Sequence, residues 1–165
     1  MQQEEIIKSI PSDRLQFFPI MMFAIVMGLA GLTFVYKEVS ESLYLPSIVY
    51  MIMMVFTTII FFIILYFYLL KIMKYKNEVK KEFSHPIRIN FFAASSISIL
   101  ILSMIYRHTF DPLAQIFFIV GAILHIFFTF YTIRFWINNN LEMQHSNPAW
   151  FIPIVGNLIV PIAGK

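Results

Sequence analysis

Residues 43–70 read LYLPSIVYMIMMVFTTIIFFIILYFYLL, and nothing in them carries a charge. A helix of about 20 residues, rising 1.5 Å per residue, covers the roughly 30 Å hydrocarbon core of a bilayer. This stretch is longer than that and stops at Lys71. Outside it, Phe17–Tyr36, Ile89–Tyr106 and Leu113–Ile133 also lack Asp, Glu, Lys and Arg. The whole chain is 59% hydrophobic and 13% charged, with a mean hydropathy of +0.78. A soluble domain sits nearer half apolar and a quarter charged. The pattern predicts an all-α integral membrane protein built from helical hairpins. Four full transmembrane helices are expected at residues 17–36, 44–70, 89–106 and 113–137, with part of a fifth at 149–164, in one membrane domain.

The charges then orient the chain. The connection 71–88 holds Lys71, Lys74, Lys76, Lys80, Lys81 and Arg88, and the positive-inside rule places it in the cytoplasm. With Lys8, Arg14 and Arg134 on the same side, nine of the 12 basic residues are cytoplasmic, while Lys37 and Arg107 lie outside. The N-terminus is therefore expected inside. Met1–Ser12 carries Glu4, Glu5 and Lys8 and has no apolar core, so it does not read as a cleavable signal. The net charge of +3 is explained by this placement without nucleic acid, and no nucleic-acid partner is expected. There is no cysteine, hence no disulfide and no thiolate metal site.

Helices two and four are bulky on every side, as lipid-facing helices can be. The odd-numbered helices are not. The first carries Ala24, Gly28 and Gly31 at i, i+4 and i+7; the third carries Asn90, Ala93, Ala94, Ser95, Ser96 and Ser98; the fifth has Gly156 and Asn157 between Pro153 and Pro161. Small residues allow close helix approach in lipid, and proline-freed carbonyls there need partners in protein or water. The odd helices are therefore expected to form the inner ring. Each opens on proline, at Pro19, Pro86 and Pro148, which a first helical turn tolerates.

No catalytic or metal-ligating constellation is present, and the chain does not read as an enzyme. His85, His108, His125 and His145 are scattered. His125 lies within the fourth helix, where an ionisable residue is a functional candidate, although on so apolar a helix a neutral ring bonded to a neighbouring helix is the plainer reading. Two features point to transport. The predicted spans lack carboxylates, which cation pathways ordinarily need and anion pathways avoid. Arg14 and Arg88 stand at the cytoplasmic ends of the first and third helices, where they could draw in anions or simply anchor the chain. Ser95 and Ser98 can donate to a passing anion or to their own backbone. Phe18, Phe23, Phe91 and Phe92 lie on odd helices, where a ring can either obstruct an apolar pore or pack.

The strings FFPIMMFAIVMGLAGL, EFSHPIRINFFAASSIS and NPAWFIPIVGNLIVPIAG resemble the tellurite-resistance/dicarboxylate transporter family, which includes malic acid permeases and the slow anion channels of guard cells. The resemblance runs from about Leu15 to Gly164. It implies ten helices in five hairpins around a central pore, usually in a homotrimer, carrying small inorganic or organic anions without a cofactor or metal. Pore-side residues then fall at Phe18, Pro19 and Phe23, at Asn90, Phe91, Ser95 and Ser98, and at Pro153, Gly156 and Asn157, with Arg14 and Arg88 at the mouth. A bacterial inner membrane is the implied location. Only the N-terminal half of such a fold is expected from these residues, and the family's gating phenylalanine, on its ninth helix, has no counterpart. The alternative is a non-conducting membrane fragment or a helix-packing subunit of a larger assembly. Ala149–Gly164 would reach only about 24 Å as a straight helix, so it reads as the beginning of a pore-lining fifth helix.

Overall fold

The computed structural model describes residues 14–107, 109–139 and 147–164. Lys8, His108, His145 and Lys165 lie outside the described residues. Among those described, regular structure is entirely helical. The helices are α1 (Phe23–Leu43), α2 (Ser47–Lys74), α3 (Lys76–Phe83), α4 (Asn90–Tyr106), α5 (Asp111–Asn138) and α6 (Phe151–Ala163). Three segments are long and apolar enough to cross a membrane: Ile20–Leu43, Ser47–Lys74 and Asp111–Asn138. Helix α4 has 17 residues, about 25 Å as a straight helix, and α6 has 13.

The first boundary differs from the sequence expectation. Phe17 ends a 3-10 turn, Phe18 follows it ahead of a second turn at Ile20–Met22, and α1 then runs on through Lys37, Glu38 and Glu41 to Leu43. Charge alone does not break a helix, and no Gly or Pro falls between residues 37 and 43. The stop comes at Tyr44, in the left-handed region at φ 54°, and at Pro46, which disfavours helix in the residue before it. The link to α2 is thus shorter than residues 37–42 implied, and Lys37 is buried within the helix. The linker after α2 is likewise mostly helical, because α3 occupies its centre.

Helix α4 is the core. It packs against α1, α5 and α6, and its buried residues include Ala93, Ala94, Ser96, Ile97, Ser98 and Leu100. Small side chains at these positions let neighbouring backbones approach. Gly121 of α5 shows how closely: a Cβ there would meet Leu100 Cγ at 3.0 Å. Helices α2 and α5 instead expose large apolar residues such as Val55, Phe56, Phe62, Ile119, Ile123 and Phe130. Hydroxyl groups bind the helices to one another, within the first hairpin and between it and α4. Thr33 meets Thr57 at 3.2 Å between α1 and α2, Thr58 meets Tyr106 at 2.9 Å, and the Tyr50 hydroxyl donates to the Ile105 carbonyl.

Candidate functional site

The densest polar cluster is centred on His125, which is completely buried where α4, α5 and α6 meet. Its Nδ1 lies 3.0 Å from Ser96 Oγ on α4, and its Nε2 lies 3.2 Å from the Pro153 carbonyl on α6. In the neutral tautomer with its proton on Nε2, Nε2–H donates to Pro153, and Nδ1 competes with the Ala93 carbonyl, 2.8 Å from Ser96 Oγ, for the single Ser96 hydroxyl proton. Thr129, one turn along α5, stands 3.4 Å from Nε2. Asn157 Nδ2 donates to the same Pro153 carbonyl at 2.9 Å. Gly156 is the floor of the cluster. A Cβ there would overlap His125 Cε1 and stand 2.5 Å from Nε2 and 2.8 Å from Ile97 Cδ1. The expected site residues Pro153, Gly156 and Asn157 therefore gather around an imidazole bonded to two neighbouring helices. Pro161 adds one feature: it has no N–H to give to the Asn157 carbonyl one turn earlier.

A second cluster closes the end of the bundle next to α3. Lys71 and Glu82 form a buried ion pair at 2.9 Å, with side chains only 2% and 3% exposed. Lys71 Nζ also donates to the Phe18 carbonyl at 2.8 Å, and the Tyr68 hydroxyl donates to Glu82 at 2.9 Å. The pair thus ties α2 and α3 to the segment leading into α1, where Pro19 holds extended backbone before the turn Ile20–Met22. Phe18 lies against Phe67, and Phe23 is buried edge-on to Phe61 and Tyr68. The sequence hid this cluster because Lys71 and Glu82 look like two more charges of a basic linker. The available signal was local: Tyr68 and Lys71 sit at i and i+3 near the end of a helix that carries no charge before Lys71.

The remaining expected residues divide along α4. Asn90 is buried, donating to the Pro86 and Ile87 carbonyls, with no partner for its Oδ1 among the described residues. Ser98 is buried and bonds the Ala94 and Phe23 carbonyls. Phe91 and Ser95, at i and i+4, are only partly covered, and Ser95 bonds the Phe92 carbonyl. Gly28 and Gly31 on α1 leave open space where a Cβ would point, and Asn157 on α6 is exposed. Each of α1, α4 and α6 thus keeps accessible small or polar positions. Arg14 and Arg88 are exposed and form no ion pair among the described residues. Ser96 and Thr129, which the sequence reading did not single out, are the partners of His125; Thr129 is its i+4 neighbour.

Hairpins of charge-poor helices around a small-residue core, joined by hydroxyls, amides and one imidazole, define a multi-pass helical membrane protein. The chain belongs to the SLAC1 family of voltage-dependent anion channels, which matches residues 17–165. An uncharacterized transporter of Methanocaldococcus jannaschii is 29% identical over 151 residues, covering 87% of this chain and 43% of that protein. The guard cell S-type anion channel SLAC1 of Arabidopsis thaliana is 24% identical over 155 residues, covering 86% of this chain and 28% of the channel. The Arabidopsis S-type anion channel SLAH3 is 32% identical over 111 residues, 62% of this chain and 17% of the channel. The chain spans less than half the length of these relatives.

Proposed function

We propose that this chain forms part of a membrane pore for small anions, bordered by α1, α4 and α6. Membership of an anion-channel family across residues 17–165 carries the reading. The physical setting supports it: α4 and α6 contain no Asp or Glu, and each of the three helices keeps accessible small or polar positions, Gly28, Ser95 and Asn157 among them. The Asn157 amide, and the Ser95 hydroxyl when it turns from the Phe92 carbonyl, supply donors without a fixed negative charge, which suits an anion passing through. Helix α4 acts as the third span in chain order, its short length made up by the turn residues at 85–89. Five hairpins complete the pore, and three copies assemble, each with its own path. The residue 71–89 end faces the cytoplasm, and Arg88 and Arg14 raise anion concentration at that mouth.

Flux measurement on membrane vesicles containing the protein tests this, with chloride, nitrate and malate compared against potassium. Anions are expected to pass and potassium to be excluded. Arg88→Ala should lower anion flux roughly two- to fivefold at low ionic strength, and the deficit should shrink as salt screens the mouth. Unchanged flux with unchanged salt dependence would remove Arg88 from the pathway.

A further inference from the structure

The outer face of α2 carries a feature that anion passage does not use. Ile59, Phe62, Ile63, Tyr66 and Phe67 line an apolar groove of about 360 Å³. Phe67 also borders a second groove with Arg14, Leu15 and Phe18. Ile59, Ile63, Phe67 and Lys74 are spaced i, i+4, i+8 and i+15, so the apolar stripe leads along one helix face to a lysine. There the helix ends at a cavity of about 510 Å³ lined by Gln16 and by the continuous run Met73–Glu78.

The charges around this cavity are unevenly used. Glu78 is engaged by Lys81 at 2.6 Å, and Lys71 is turned inward to Glu82. Lys74 and Lys76 form no ion pair among the described residues. Gln16 Nε2 is a buried donor with no acceptor among the described residues, on the wall of the same cavity. Two free ammonium groups, a buried amide N–H₂ and the Asn77 amide make a donor set for a group that only accepts. A phosphodiester is such a group. Met73, 73% exposed, makes the rim where the cavity meets the apolar face.

We propose that this cavity binds the headgroup of an anionic phospholipid, with an acyl chain lying in the Ile59–Phe67 groove. A free phosphate would use the donors but not the groove. A zwitterionic headgroup brings its own cation toward Lys74 and Lys76. The site lies at the level where α2 leaves its charge-free run, which is where headgroups sit. The inference rests on the membrane-spanning reading of α2 and not on anion conduction, so loss of either leaves the other standing.

Purified, delipidated protein tests it, with lipid retention read by native mass spectrometry and thermal melting followed in parallel. Phosphatidylglycerol should be retained and should raise the melting temperature; phosphatidylcholine should do neither. Near a membrane surface each lysine contributes about 1 kcal/mol toward an anionic lipid, so Lys74→Gln and Lys76→Gln should each weaken retention about fivefold. Lys80→Gln, on the same short helix but outside the cavity, should retain lipid like the wild type. Tyr66→Ser should weaken retention through the groove without altering the lysines. Equal retention of phosphatidylcholine, or a Lys80→Gln loss matching Lys74→Gln, would overturn the site in favour of diffuse attraction. Equal protection by inorganic phosphate would overturn the lipid and leave a free-anion site.

Discussion

Gly156→Ala is expected to unseat α6 from the bundle, although it adds only one carbon. The new Cβ would overlap the His125 ring and stand 2.8 Å from Ile97 Cδ1. The ring cannot swing aside cheaply, because it is fully buried and held by Ser96 and the Pro153 carbonyl. Either α6 moves outward or His125 leaves both partners. Overpacking of this kind costs about 1–3 kcal/mol, and a buried donor or acceptor left unpaired adds about 1–3 kcal/mol. Thermal melting in detergent should show the loss, and protease cleavage near residue 150 should rise with it. Gly28→Ala is the matched control. Nothing lies within 4 Å of its Cβ, so it should fold like the wild type.

Breaking the Lys71–Glu82 pair should have an effect at least as large. Lys71→Met leaves a buried carboxylate with only the Tyr68 hydroxyl, and it strips the Phe18 carbonyl of its donor. Glu82→Gln leaves a buried ammonium facing a neutral amide. Removing one member of a buried ion pair typically costs about 3–5 kcal/mol, whereas replacing both with apolar residues is often close to neutral. Each single variant should therefore melt well below the wild type, and Lys71→Met/Glu82→Met should recover most of the loss. A double-mutant cycle measures that coupling. Additive losses would mean that each residue acts through separate contacts.

The membrane class was legible in the sequence because lipid demands length without charge, and LYLPSIVYMIMMVFTTIIFFIILYFYLL meets that demand unaided. The prolines mark the approaches to the odd helices: Pro86 and Pro148 stand in a turn and a 3-10 segment ahead of α4 and α6, and Pro19 is extended ahead of the 3-10 turn that leads into α1. The end of α1 was not legible. Lys37–Ser42 looked like a polar link, yet only the left-handed Tyr44 and Pro46 stop the helix. Charge in sequence also says little about burial. Lys71 and Glu82 are separated by a turn and a short helix, and only the folding of α3 back onto α2 brings them together. Among the serines, Ser95 and Ser96 differ by about 100° around α4. That rotation leaves one partly accessible and turns the other onto His125. Periodicity alone could not choose between them, because α4 is enclosed by neighbours on most sides.

That difference between adjacent serines also gives the most direct test of the proposed path. These 165 residues hold no cysteine, so a single cysteine introduced among them is the segment's one thiol. Ser95→Cys and Ser96→Cys would be treated in membrane vesicles with water-soluble thiosulfonates of negative and positive charge. The account predicts that Ser95→Cys reacts faster with the anionic reagent, that chloride or nitrate slows this reaction, and that Ser96→Cys stays unlabelled. An unreactive Ser95→Cys, or one that reacts equally with both reagents and ignores permeant anions, would contradict an anion path along α4.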